Sequence, residues 1–245
     1  MSGADGYLGR VGAMVESLQE EQLGPIREAG RLVAEVLRAD RLVHVFGTGH
    51  SHMLAEEGLY RAGGLAPVNA ILESGLMLHE GAAVSTRLEK LPGYSPIVAD
   101  KYGFEEGDLL VVVSNSGVNA APVELALLAK EAGLGVLAIS SVAYAKSVEP
   151  KPGVPARLYE IADLTLDNLG EPGDAVVEVD GTGLKVGPTS TVIGAALLNA
   201  VFVEATCALA SEGVEPPVYR SANMPGAPEH NRRLVERFGG RIRHL

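Results

Sequence analysis

The stretch LLVVVSNSGVNAAPVELALLAKE, residues 109–131, decides the fold. Leu109 to Val113 is an unbroken apolar run, three of its residues β-branched. A run that is apolar at both alternating sets of positions reads as a strand buried on both faces. It ends in Ser114-Asn115-Ser116-Gly117, and Asn119 opens a segment with helical spacing at Val123, Leu127 and Leu128. Strand, tight polar turn and helix in this order build anion sites in α/β folds. The first N–H groups of a helix have no partner within it and point into the turn. Two serine hydroxyls and an asparagine amide join them here, and the turn carries no Lys or Arg. The expected ligand is a small phosphorylated molecule held by neutral donors. The same residue types also suit an ordinary helix cap.

The rest of the chain alternates in the same way. Strands are expected over residues 41–46, 67–72, 135–140 and 164–166, with an edge hairpin around 175–179. Helices are expected over 53–62, 77–84, 189–210 and 228–238. Residues 90–96, KLPGYSP, and residues 144–157 read as loops, and 213–227 as a Pro-rich connection. Before the first strand, residues 7–38 are helical. Leu8, Val11, Val15 and Leu18 form one stripe, Gly24-Pro25 interrupts it, and Ile26, Leu32, Val33, Val36 and Leu37 resume it. An apolar stripe of this kind covers the following domain or another subunit. The expected division is a helical extension over 1–40, an α/β domain over 41–212, and a C-terminal segment over 213–245. The domain is expected to be three-layered, a parallel sheet between helices, with binding at the carboxyl ends of its strands.

Composition bounds the function. At 245 residues, 47% hydrophobic and 21% charged, the chain can bury one large core. A net charge of −11 argues against nucleic acid as a partner. Arg232, Arg233, Arg237, Arg241 and Arg243 read as a solvated helix face and tail. No run of eighteen apolar residues suggests a membrane span. The first residues, MSGADGYLGRVGAM, lack the basic-then-apolar order of a secretory signal. Cys207 is the only cysteine and sits in an apolar helical pattern, where packing is its expected role. A single cysteine excludes an intrachain disulfide and suggests a reducing, cytoplasmic compartment.

A second polar turn has the same build: Gly47-Thr48-Gly49-His50-Ser51-His52 after the first strand. It begins as a dinucleotide fingerprint, with Glu73 placed to mimic the ribose-binding acid. His52 stands where the third glycine is required, which argues against that reading. No Gly-Lys-Ser/Thr follows, so it is not a P-loop. GTGHS and SNSG together resemble the paired phosphosugar loops of the SIS (sugar isomerase) domain family, over roughly residues 30–212. The resemblance implies a flavodoxin-like, five-stranded parallel sheet and a homodimer with sites near the subunit interface. It implies that Gly49, Ser51, Ser114, Ser116 and Asn119 hold a phosphate. Family members commonly carry Thr at the position of Asn119. His79-Glu80-Gly81-Ala82 and Leu184-Lys185-Val186-Gly187 resemble segments of the N-acetylmuramic acid 6-phosphate etherase branch. The glutamate of the first segment is catalytic in that branch. Its other glutamate has no clean counterpart: Glu56 and Glu57 come a turn early, and Arg61 stands near the expected position.

The chemistry expected from these residues needs no cofactor. A carboxylate removes the C2 proton of a phosphorylated aldose. The proton then returns at C1, an isomerisation, or a group leaves from C3, an elimination. Glu80 is the expected base, with His79 or Glu57 as acid or ring-opening partner. By analogy with SIS enzymes that complete a site with a terminal or partner-subunit segment, His230 is a further expected catalytic contact, with an N-cap or interface role as the alternative. His52, Glu56 and Lys185 are further expected substrate contacts. His50 and His52 supply two possible metal ligands with no placed third, so no metal is expected. The first expectation is a lyase or dehydratase acting on an N-acetylhexosamine 6-phosphate, with N-acetylglucosamine 6-phosphate the concrete candidate. A phosphosugar isomerase and a non-catalytic phosphosugar sensor are the alternatives.

Overall fold

The computed structural model describes residues 3–245; Met1 and Ser2, at the start of the N-terminal segment, lie outside it. Strands β1 (Val43–Gly47), β2 (Val68–Ile71), β3 (Leu109–Val113), β4 (Gly135–Ser140) and β5 (Leu164–Asp167) form one parallel sheet in the order β2-β1-β3-β4-β5. A separate antiparallel hairpin joins β6 (Ala175–Val179) to β7 (Leu184–Pro188). The helices in chain order are α1 (Gly3–Ser17), α2 (Leu23–Arg38), α3 (Met53–Gly58), α4 (Ala82–Leu88) and α5 (Ser95–Tyr102). They continue with α6 (Ala120–Glu131), α7 (Val142–Ser147), α8 (Leu158–Ile161), α9 (Ser190–Ser211) and α10 (Ala227–Phe238). The expected α/β architecture is therefore the one found.

The LLVVV run explains the layering. Leu109, Val111 and Val113 face a core formed with α1, α2, α3 and α9, where Val33, Leu54, Ile193 and Leu197 are buried. Leu110 and Val112 face the opposite core, formed with α5, α6 and α8, where Val98, Val123, Leu125 and Leu158 are buried. β4 divides in the same way, Leu137 and Ile139 to one side, Val136 and Ala138 to the other. A strand with a two-residue side-chain period can feed two cores only if both sets of positions are apolar.

The helical segment before the sheet packs into the first core. Ile26, Ala29, Val33 and Ala34 of α2 are buried with Leu198, Val201 and Ala205 of α9. Gly24-Pro25 does not end the helix. Pro25 lies in the first turn of α2, where its missing N–H breaks no bond. A wider π turn over Leu18–Gln22 joins α1 to α2. α9 is long and apolar enough, by length and composition, to cross a membrane; in the fold its buried stripe is a wall of the core. Cys207 lies on the exposed side of α9 and not in its packed face.

Other differences have local causes. The helix expected over 77–84 begins only at Ala82, because Gly81 has φ 130° and cannot continue a helix. The loop expected at KLPGYSP runs directly into α5, which has proline in its first turn and ends at the left-handed Gly103. The loop expected from 144 contains most of α7, whose cap Ser141 accepts the Tyr144 N–H at 3.0 Å. The C-terminal arginines are partly tied down: Arg237 and Arg241 both pair with Asp40.

At the amino ends of the strands a buried polar chain fixes the register. The carboxylate of Asp108 accepts the Leu42 N–H at 2.9 Å and the His44 Nε2–H at 3.0 Å. His44 Nδ1 in turn accepts from Asn69 at 3.2 Å, and the Asn69 carbonyl accepts the Arg243 N–H at 3.3 Å. His44 and Asn69 are fully buried, and Asp108 nearly so. Burial alone raises the Asp108 pKa. The hydrogen bonds from His44 and Leu42 outweigh it, so the carboxyl titrates below its ordinary value of 3.8.

Two measurements check this account. Leu110→Ala opens a cavity in a fully buried position and is expected to cost about 2–5 kcal/mol in denaturant unfolding. Ile97→Ala, at an exposed position, is expected to change stability by less than about 0.5 kcal/mol. Because the folded pKa of Asp108 is depressed, its stabilisation is fully present above pH 3.8 and is lost as pH falls through the folded value. Asp108→Asn should lower stability at neutral pH by about 1–3 kcal/mol through unmatched buried donors. It should also flatten the acid side of the stability profile below pH 4; an unchanged profile would remove Asp108 from this role.

Candidate functional site

The chain passes from β1 to β2 on one side and returns to β3 on the other, so the switch in strand order lies between β1 and β3. Gly47, the last residue of β1, is in register with Val113, the last residue of β3. The two polar turns therefore leave the sheet side by side, at its carboxyl edge. Binding in open α/β sheets belongs at this position.

The second turn is rigid. Gly117 has φ 60°, and its carbonyl accepts the Leu158 N–H at 2.8 Å. A Cβ there would lie 3.2 Å from Ser140 Oγ and 3.3 Å from Leu158 Cβ, so only glycine fits without displacement. Ser114 accepts the Gly117 N–H at 3.2 Å. Asn115 is pinned by Asn168, whose amide donates to its side-chain carbonyl at 2.9 Å, and by the Ser141 N–H on its backbone carbonyl at 3.0 Å. A narrow cleft lined by Ser51, Asn115, Asn168, Ser190 and Thr191 joins both turns to the end of β5 and the start of α9.

Asn119 is the first residue before α6, yet its side chain makes no capping bond. The ordinary-cap reading of this residue therefore fails. Its amide nitrogen instead donates to Glu89 Oε1 at 3.1 Å, and its Oδ1 is buried with no partner. The Thr48 hydroxyl, from the first turn, donates to Glu89 Oε2 at 2.6 Å. The two turns thus converge on a single carboxylate. Ser51 and Ser116, one in each turn, make no side-chain hydrogen bond among the described residues.

A histidine–carboxylate group forms the rim. His52 donates from Nδ1 to the Gly49 carbonyl, which leaves Nε2 facing Glu56 at 3.5 Å. The His79 ring meets His52 edge-on at 6.2 Å between centroids. Glu80 follows in an exposed turn and has no ion pair or hydrogen bond among the described residues. Glu73, at the end of β2, is held by Lys101 at 2.7 Å and Tyr94 at 3.0 Å. Burial raises its pKa, but these two bonds lower it further, to a net value below the ordinary 4.5. No group of three or more His, Cys, Asp or Glu side chains that could hold a metal ion occurs among the described residues.

Three expected site residues lie elsewhere. Glu57 is one residue from Glu56 but faces α9, bonded to Arg61 and to Asn199 at 2.9 Å. Lys185 is on β7 and pairs with Glu171 at 3.1 Å, beside Arg10. His230 is buried on α10 and donates to the Val218 carbonyl at 2.8 Å. Thr48, Asn168 and Glu89 were not expected as site residues. The first two could have been found from their positions directly after strands. No local signal marks Glu89.

The SIS domain family model matches residues 6–141. A UPF0309 protein of Brucella canis is 47% identical over 241 residues, covering 98% of each chain, and one of Brucella ovis is equally similar over the same length. The fold is similar to that of a phosphoheptose isomerase from Francisella tularensis, with a TM-score of 0.50 at 17% identity over 83% of this chain and 100% of that one. The chain belongs to the SIS domain family.

Proposed function

We propose that this SIS domain protein binds a phosphorylated sugar at the carboxyl edge of its sheet and acts on it by removing the C2 proton. The observation that carries the reading is the convergence of Thr48 and Asn119, one from each turn, on a single anionic group. Neutral donors beside a helix N-terminus hold a phosphate without a cationic side chain. Gly49, Ser51, Ser114, Ser116 and Asn119 take the phosphate end. The sugar then extends toward His52, Glu56, His79 and Glu80. Glu80 is the base, since it is the unpaired carboxylate on that rim. His79 is the acid partner. Glu57, Lys185 and His230 are engaged with other elements and take no part.

The substrate is an N-acetylhexosamine 6-phosphate, with N-acetylglucosamine 6-phosphate the test compound. The acetamido group replaces the C2 hydroxyl that aldose–ketose isomerisation requires. The carbanion left by C2 deprotonation therefore resolves by expelling the C3 hydroxyl as water, with a proton supplied by the acid partner. On a substrate with a C2 hydroxyl the same base would return the proton at C1.

Incubation with hexosamine and hexose 6-phosphates in D2O separates these outcomes. Loss of 18 mass units marks dehydration (one water), and deuterium uptake at constant chemical composition marks isomerisation. Binding without turnover of any compound would leave the sensor reading. Glu80→Gln is expected to abolish turnover with phosphate binding intact; an active variant would remove Glu80 as base. Ser116→Ala is expected to weaken binding by about 1–3 kcal/mol in calorimetry.

We further infer a cytoplasmic homodimer. α9 exposes Val192 and Val203, and Val15 and Leu23 are exposed beside an apolar groove between α9 and the N-terminal helices. Val203→Glu is expected to shift the mass measured by light scattering from dimer to monomer. A wild-type monomer at micromolar concentration would rule the dimer out.

A further inference from the structure

We propose that Glu89 is an internal occupant of the phosphate position and that a ligand binds by displacing it; this rests on the site reading given above. Glu89 directly follows α4. Its two carboxylate oxygens take the Thr48 hydroxyl and the Asn119 amide. Its backbone carbonyl accepts the N–H of Ala121, the second residue of α6, at 2.9 Å. One residue thus satisfies a donor from each turn and one from the helix N-terminus between them. The α6 dipole favours a negative group at this point, whether it comes from the protein or from a ligand.

Glu89 and a phosphate cannot hold these donors together. A phosphate on Asn119 would lie within a few ångströms of the Glu89 carboxylate, in a half-buried setting where like charges repel strongly. The segment that carries Glu89 is built to yield. Ala82, Ala83 and Val84 are exposed, as are Thr86, Arg87 and Lys90. Among the described residues, side-chain bonds other than those of Glu89 tie residues 82–93 to other elements at two places, and Leu88 packs against the second core. Ser85 donates to the Leu76 carbonyl at 2.8 Å, and the Gly93 N–H is held by Glu124 at 2.9 Å.

The resting arrangement also leaves one group unmatched. Glu89 uses the nitrogen of the Asn119 amide, while the amide oxygen is buried without a donor. A buried acceptor without a partner is a standing cost. A ligand with an anion for the nitrogen and a hydroxyl for the oxygen satisfies both ends. A phosphorylated polyol has both, whereas a neutral sugar lacks the anion. Glu89 is therefore a specificity-determining residue: it excludes sugars that bring no anion able to replace its carboxylate.

The test is calorimetric titration of the intact protein with inorganic phosphate, N-acetylglucosamine 6-phosphate and N-acetylglucosamine. Wild type, Glu89→Gln and Ser116→Ala are compared. Glu89→Gln keeps the side-chain size but removes the charge that competes. It is expected to bind both phosphate compounds about tenfold more tightly than wild type, while Ser116→Ala binds them more weakly. N-acetylglucosamine should bind far more weakly than its 6-phosphate in wild type. If Ser116→Ala weakens binding but Glu89→Gln binds no more tightly than wild type, the site stands and the displacement fails. If no form binds either phosphate compound, the site reading fails and the displacement with it. Should Glu89→Gln not give a cooperative melt, Glu89→Ala, which removes the competing carboxylate altogether, is used with the same expected direction.

Discussion

Everything at the functional edge depends on the pairing of β1 with β3. These strands are not consecutive, and only their parallel register, ending at Gly47 opposite Val113, sets two distant turns side by side. Either turn alone is a helix start with polar residues. Side by side they form a concave row of donors across the switch in strand order, where the diverging helices leave room for a ligand. The pairing is stabilised mainly by burial, since every residue of both strands is buried. Apolar residues on both faces of β3 therefore hold the polar turn beyond it in place.

The two ends of the sheet use polar groups differently. At the amino ends, Asp108, His44 and Asn69 satisfy one another in a closed chain that ties the C-terminal segment to the first three strands of the sheet. Little is left over for a ligand there. At the carboxyl ends the accounts remain open. Asn119 Oδ1 is unpartnered, and the donors of Thr48 and Asn119 meet on one carboxylate, that of Glu89. Buried and fully matched polar groups rigidify a fold, whereas incompletely matched ones mark places where a further partner fits.

The legible part of the sequence was the part whose pattern repeats. LLVVV carries two complete faces in five residues, and α9 carries six turns of apolar spacing. The polar turns were legible because glycine, serine and asparagine at strand ends have local consequences. Short helices were not: α5 and α7 have eight and six residues, only about two turns each, too few to show a period. Their caps were the readable signals. Glu56 and Glu57 show a different limit. Adjacent residues on a helix point about 100° apart, so one meets His52 and the other Asn199. Which of them faces the site depends on how α3 lies against α9, and no local pattern contains that.

Glu89 marks the furthest limit. Locally it is a glutamate after a short exposed helix, a position where a solvated carboxylate is the ordinary outcome. Its placement comes from three separate long-range facts: the end of β1, the start of α6, and the turn at Gly81 that starts α4. Glu80 comes from the same segment but stays in solvent. Of two carboxylates nine positions apart, the one resembling a known catalytic segment is exposed, and the other accepts from a donor of each turn, at the place proposed for the phosphate. The two roles are compatible because they belong to opposite ends of the same ligand.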